Sequence, residues 1–213
     1  MSIRINEIFY SIQGESTYSG QPCIFIRLTY CNLRCTWCDT EYSFHEGNDM
    51  TIDEILENIQ QYNCKLVEIT GGEPLLQKEC ISLLNRLLSD GFKVMLETGG
   101  SLSIKDVPRK VIKIIDFKCP YSKMDKKNLW SILDDMAEHD EIKFVIGNRK
   151  DYEWAKDKII EYNLTDKWTV LFSCVFDHLS YNTLAEWILE DALDVRFQVQ
   201  MHKHIWHPEA KGV

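Results

Sequence analysis

The sequence contains no long apolar run. Its first residues, MSIRINEIFYSIQGES, carry polar or charged groups throughout and never reach the length of a signal peptide or membrane span. Export and membrane insertion are therefore not expected, and a soluble, cytoplasmic protein is. An excess of positive charge is also lacking: 24 Lys and Arg stand against 33 Asp and Glu, a net charge of −9. A protein that binds folded nucleic acid needs a basic face to neutralise phosphates. Here the basic stretches SKMDKKN and NRKDYEWAKDK are interleaved with acids and read as solvated surface, so a small-molecule partner is favoured. No internal repeat, low-complexity tract or Pro/Gly/Ser-rich linker divides the chain. With 213 residues at 45% hydrophobic content there is material for one sizeable core and too little for two comfortable ones, so a single domain over residues 1–213 is expected.

What is present is an alternation. Runs of β-branched and aromatic residues recur at 23–30, 65–70, 93–98, 110–117, 141–147, 168–175 and 195–200. Helical patterns lie between most of them. TIDEILENIQQY opens with Thr51 as N-cap and Glu54 three residues on, a capping box, with Ile52, Ile55, Leu56 and Ile59 on one face. CISLLNRLLSDG ends on Gly91 as C-cap, and LWSILDDMAE, DYEWAKDKIIEY and SYNTLAEWILEDA continue the series. Such alternation predicts an α/β fold with parallel strands, in an open doubly wound sheet or a barrel. No helix is expected between residues 98 and 110, so a barrel would be incomplete.

The long gap at 31–50 holds CNLRCTWCDT, three cysteines in eight positions. Loops after the carboxyl ends of parallel strands gather at one face and build the ligand site. The cysteines follow the first of these strands, TGGEP (70–74) the second, ETGGS (97–101) the third and DFKCPYS (116–122) the fourth. In a reducing compartment clustered cysteines bind metal or catalyse, while Cys23, Cys64, Cys80, Cys119 and Cys174 read as small buried hydrophobes. Thiolates at Cys31, Cys35 and Cys38 suit zinc or iron–sulfur iron. A closed zinc site wants a fourth ligand and none is local. A thioredoxin-like reading of CTWC leaves Cys31 unexplained.

CNLRCTWC matches the C-x3-C-x2-C motif of the radical S-adenosylmethionine superfamily, with Trp37 before the third cysteine, and TGGEP matches its next motif. FYSIQGES (9–16), CIFIRLTYCNLRCTWCDT (23–40), TGGEPLLQ (70–77) and QVQMHKHIW (198–206) resemble the 7-carboxy-7-deazaguanine synthase family end to end. The resemblance implies a partial, TIM-like parallel β/α barrel and a [4Fe–4S] cluster on Cys31, Cys35 and Cys38, with S-adenosylmethionine on the open iron. Reductive cleavage of that cofactor yields a 5′-deoxyadenosyl radical. The implied reaction converts 6-carboxy-5,6,7,8-tetrahydropterin to 7-carboxy-7-deazaguanine with loss of ammonia, the radical carrying hydrogen from and back to the substrate.

The same resemblance assigns roles. Ile12, Gln13, Gly14 and Glu15 hold the pterin, and Thr70, His202 and the terminal Val213 also contact it. Arg27, charged within an apolar strand, takes the substrate carboxylate or, on its residue type alone, a structural salt bridge. Thr40 ligates Mg2+ with Asp39 beside it, since magnesium favours oxygen ligands. Trp37, Cys38, Asp39, Gly71, Gly72, Glu73, Glu97 and Ser173 neighbour S-adenosylmethionine. Glu73 has a second reading as a helix N-terminal acid. The loop that many members write Ser-Pro-Lys here reads Asp116, Phe117, Lys118, which leaves its side-chain contacts open. An external electron donor of flavodoxin or ferredoxin type and a homodimer are implied too. Two other readings stay open: an activase that makes a glycyl radical on a partner protein, and a non-catalytic zinc-binding module.

Overall fold

A computed structural model describes residues 2–213. β1 (Ser2–Ile12) and β2 (Pro22–Leu28) form an antiparallel hairpin, and β3 (Asn48–Thr51) pairs antiparallel with the outer side of β1. From β2 onward the strands run in parallel: β4 (Leu66–Gly71), β5 (Lys93–Thr98), β6 (Ile112–Asp116), β7 (Glu141–Ile146), β8 (Thr169–Cys174) and β9 (Arg196–Gln198). The order across the sheet is β3-β1-β2-β4-β5-β6-β7-β8-β9. Successive parallel strands are always neighbours, with no reversal of direction. A doubly wound sheet requires such a reversal, so the doubly wound alternative falls and the incomplete barrel remains.

Every predicted strand is present, with ends displaced by no more than two residues. The hairpin strand β1 is an addition. Its alternation is weak, because Glu7 breaks the pattern, and the pairing slips between Ile5 and Glu7. That irregularity sets Glu7 opposite Arg27 of β2.

α1 (Ile52–Ile59) begins at the predicted capping box, with Thr51 and Glu54 satisfying each other's backbone N–H groups. α2 (Glu79–Ser89) closes with Asp90 as C-cap, and Gly91 follows in the left-handed region at φ 78°, one position past the predicted cap. α3 (Arg149–Tyr162) and α4 (Tyr181–Glu190) are capped by Asn148 and Ser180, and a short α5 (His202–Ile205) ends the fold. The helix expected at LWSILDDMAE is instead a single 3-10 stretch, Trp130–Asp134. Trp130 is held between Phe117 (4.4 Å between ring centroids) and Tyr162 (4.7 Å), a packing that fixes the chain locally without a longer helix. Between β5 and β6 there is no helix, as expected.

The strands divide two environments. Their outer face and the helices enclose the main core, including Ile26, Ile69, Leu83, Leu84, Leu87 and Leu96. Burying each such leucine contributes about 1.5–3 kcal/mol. The inner face follows the two-residue period of a strand. Near the amino ends it is apolar, with Cys23, Phe25, Leu66, Met95, Ile112 and Ile114 in a second cluster. One or two steps further along the same strands it becomes charged: Arg27, Glu68, Glu97, Asp116 and Lys143 all face one cavity at the carboxyl ends.

Candidate active site

That cavity is where the predicted loops meet. The cysteine loop has no regular structure and is held by its neighbours. Thr36 donates through Oγ1 to the Tyr121 carbonyl (2.7 Å) and through N to the Ser122 carbonyl (3.2 Å), and Tyr30 N donates to the Ser43 carbonyl (2.9 Å). The TGGEP loop hangs from the same segment by Glu73 N to the Tyr30 carbonyl (2.7 Å) and Gly72 N to the Leu28 carbonyl (3.2 Å). A Cβ on Gly71 or Gly72 would overlap the carbonyl oxygens of Leu28 and Tyr30 respectively. These glycines therefore first permit close approach of the chain's own backbone.

Cys31, Cys35, Cys38, Trp37, Asp39 and Thr40 all line the cavity. Burial raises the Cys31 thiol and pushes Cys35 up to about 11, while the Lys118 ammonium works in the opposite direction on both. Leu33 N donates to Cys31 Sγ at 3.4 Å. Among the described residues no three His, Cys, Asp or Glu side chains converge on a point that one ion could occupy. Three thiols lining one cavity suit a multinuclear cluster, whose irons each take a separate thiolate.

Thr70, Gly71, Gly72, Glu97, Asp116 and Lys118 line the adjoining wall. Lys118 Nζ lies 2.7 Å from Asp116 Oδ2 and 5.4 Å from the centroid of the Trp37 ring. Burial opposes its charge, but Asp116 outweighs burial and holds the ammonium above its usual range. Opposite stand Ile12, Gln13, Gly14, Glu15 and Arg27, with His202 and Val213 closing the mouth. α5 presses on this segment: Met201 N donates to the Gly14 carbonyl at 3.0 Å, and a Cβ on Gly14 would overlap the His202 ring. Burial lowers the pKa of His202, and Glu15 counteracts it. Lys203 pairs with Asp39, tying α5 to the cysteine loop.

Three predicted contacts do not line the cavity. Glu73 is fully buried, and its carboxylate accepts from Leu75 N (3.1 Å), Thr98 Oγ1 (2.9 Å) and Gly99 N (2.8 Å). It caps the short helix Pro74–Leu76 and splices the TGGEP loop to the ETGG loop, in line with its second reading. Phe117 points into the main core, because the strand period that brings Asp116 and Lys118 inward turns it outward. Ser173 is buried and is not among the lining residues, although it pairs in register with Val145, which faces the cavity, and so shares that face of the sheet.

Other lining residues went unrecognised in the sequence. Lys143 is the main one: its Nζ sits 2.8 Å from Glu15 Oε2 and 2.7 Å from Glu97 Oε1, joining a residue assigned to the substrate with one assigned to the cofactor. Burial disfavours the ammonium, yet the two carboxylates hold its pKa well above normal; in return Lys143 keeps Glu15 ionised against burial. Glu68 is the other, and Phe9, Phe25 and Phe44 supply apolar wall. A charged residue inside an apolar strand, the signal that singled out Arg27, marks both Glu68 in KLVEIT and Lys143 in EIKFVIG.

The cavity fits a polar ligand. Five buried side-chain polar atoms lack a hydrogen-bond partner among the described residues, and Glu15 Oε1, Trp37 Nε1 and Asp116 Oδ1 among them belong to lining residues. Grouped thiols at one end and a carboxylate, an indole N–H and an ammonium beside them match a thiolate-bound cluster with a zwitterionic nucleoside cofactor.

Comparison with known proteins agrees. The profile of the Radical SAM superfamily matches residues 25–188. The chain is 47% identical to the 7-carboxy-7-deazaguanine synthase of Koribacter versatilis over 99% of its own length and 100% of the relative's. It is 44% identical to that of Chlorobaculum tepidum over 99% and 97%. The crystal structure of QueE from Escherichia coli superposes with a TM-score of 0.80 at 24% identity, covering 95% of each chain, which shows the shared fold. The chain belongs to the 7-carboxy-7-deazaguanine synthase family of the radical S-adenosylmethionine superfamily.

Proposed function

We infer that the cavity carries out the reaction for which these relatives are named, making 7-carboxy-7-deazaguanine from 6-carboxy-5,6,7,8-tetrahydropterin with loss of ammonia. The observation that carries this reading is that the three loop thiols share one cavity with Gln13, Glu15 and Arg27, so radical generation and substrate recognition are contiguous.

When bound, the [4Fe–4S] cluster and S-adenosylmethionine supply hydrogen-atom abstraction. Cys31, Cys35 and Cys38 would hold the cluster. Trp37, Asp116, Lys118 and the backbone at Gly72 would flank the cofactor, with Glu97 near its ribose. Arg27 is the anchor for the substrate carboxylate: among the described residues only its Nε has a protein acceptor, Glu7 Oε1 at 2.7 Å, which leaves the outer nitrogens for a ligand. Thr40, whose Oγ1 lies 3.8 Å from Cys38 Sγ, is the proposed Mg2+ ligand, with Asp39 supporting its water shell. His202, Val213 and Thr70, which line the same cavity, would contact the substrate. A reductant of flavodoxin or ferredoxin type and a homodimer complete the reading.

Anaerobic incubation with reductant, S-adenosylmethionine and 6-carboxytetrahydropterin tests it, with formation of the deazaguanine acid as the expected result. Cleavage of S-adenosylmethionine without that product would favour the activase.

A further inference from the structure

Glu68 is 4% exposed, stands in the middle of β4, and lines the cavity where its inner face changes from apolar to charged. Its Oε2 accepts a hydrogen bond from Gln13 Nε2, and Gln13 Oε1 accepts from Glu15 N at 3.0 Å. The Gln13 amide is thereby locked in one orientation between the two glutamates. The cations nearby are already committed. Lys143 serves Glu15 and Glu97, at 2.8 and 2.7 Å, and Arg27 serves Glu7 at 2.7 Å. Among the described residues no cation pairs with Glu68, and a buried carboxyl group without one needs N–H donors.

The surroundings define what those donors belong to. Glu68 pairs in register with Phe25 on β2, whose ring stacks on Phe9 at 4.9 Å between centroids and 11° between planes. Both rings line the cavity beside Glu68, so a flat heterocycle there would have an apolar wall. Two residues further along the same strands, Arg27 pairs in register with Thr70. At the rise of a strand this sets the Arg27 backbone about 7 Å further toward the carboxyl ends than the Glu68 backbone, so the two side chains enter the cavity at different depths.

We propose that Glu68 is the specificity residue for the 2-amino-4-oxopyrimidine edge, accepting the ring N3–H and the exocyclic 2-amino group while Arg27 takes the carboxylate at the other end. A carboxylate offers two acceptors side by side and this edge offers two donors side by side, which makes a bidentate, charge-assisted pair. An analogue with oxygen at position 2 turns one donor into an acceptor and leaves two oxygens opposed. Burial, with Glu97 and Glu15 adding to it, raises the pKa of Glu68, and two ligand N–H donors would favour the ionised form in return. The proposal rests on the reading that a carboxylated pterin is the substrate.

The test is a calorimetric comparison on the anaerobically reconstituted enzyme with S-adenosylmethionine, using 7-carboxy-7-deazaguanine and its 2-oxo analogue, which differ only at position 2 and in the hydrogen on the ring nitrogen beside it, away from the N–H that Glu68 shares. Wild type should prefer the 2-amino ligand tenfold or more, the loss of a bidentate partner being of that size. In Glu68→Gln the amide presents a donor to position 2, and the preference should fall to parity or invert. Because the readout is a ratio of two affinities within one protein, a partly folded preparation does not mimic the result. Retention of the wild-type preference in Glu68→Gln overturns the assignment of Glu68. Failure of wild type to bind the 2-amino ligand overturns the substrate reading itself.

Discussion

Arg27 and Glu7 form an ion pair across the β1–β2 hairpin, with Nε 2.7 Å from Oε1, and Tyr42 donates its hydroxyl to the same Glu7 oxygen at 2.8 Å. The pair uses one edge of the guanidinium fork and leaves the other toward the cavity. A residue that looks like a buried charge seeking a substrate has a structural partner as well, and the salt bridge engages only one of its nitrogens. Arg27→Lys preserves the charge and loses the fork. We expect kcat/KM for the carboxylated pterin to fall about ten- to a hundredfold, the worth of a hydrogen bond to a charged group, with most of the change in KM. Steady-state kinetics at several substrate concentrations checks this, and an unchanged KM would contradict the assignment.

Glu73 should act through the loops it joins. Glu73→Gln keeps one acceptor but turns an amide N–H toward donors at Thr98 and Gly99. The expected cost is about 1–3 kcal/mol of stability, the penalty for buried polar groups left unpaired. It should be visible in denaturant unfolding of the cluster-free protein. Wild-type stability in that variant would show that the carboxylate does not brace the two loops.

The pH dependence of stability should carry the mark of Glu68. Burial first, then Glu97 and Glu15, raise its pKa above the ordinary 4.5, while the Gln13 amide and Lys143 pull the other way. The folded state therefore binds a proton that the unfolded state releases, and stability falls as pH rises above about 4.5 toward the raised folded value. Its contribution is complete below the unfolded value and absent above the folded one. Glu68→Gln cannot titrate, so the difference in unfolding free energy between wild type and variant should shift in the variant's favour as pH rises through that window. Denaturant midpoints from pH 5 to 8 measure it, and a difference that stays constant with pH would be contrary.

Much of this was legible beforehand, for identifiable reasons. Strand periodicity and the Thr51–Glu54 capping box are local, and they appear where the sequence puts them. The cysteine loop and TGGEP are read from spacing, and the parallel topology brings them together. Winding direction was not legible: both architectures share the same alternation, and only strand order separates them. β1 escaped notice because its register slip at Glu7 interrupts the pattern, although that slip is what supplies Arg27 with a partner. Phe117 shares a sequence motif with Asp116 and Lys118, and strand geometry separates it from them. Lys143 and Glu68 carried the same signal as Arg27, but their partners Glu15, Glu97 and Gln13 lie between 46 and 128 residues away, beyond what local pattern can pair.

The central claim is that the cluster-binding loop and the pterin site form one reaction chamber. It is tested most directly by chromatographic detection of 7-carboxy-7-deazaguanine after anaerobic incubation of the iron–sulfur-reconstituted protein with dithionite, S-adenosylmethionine, Mg2+ and 6-carboxy-5,6,7,8-tetrahydropterin. The account predicts multiple turnovers of product by wild type and none when Cys31, Cys35 and Cys38 are replaced by alanine. Cleavage of S-adenosylmethionine with no deazaguanine acid formed, or a colourless protein that takes up zinc and no iron, would contradict it.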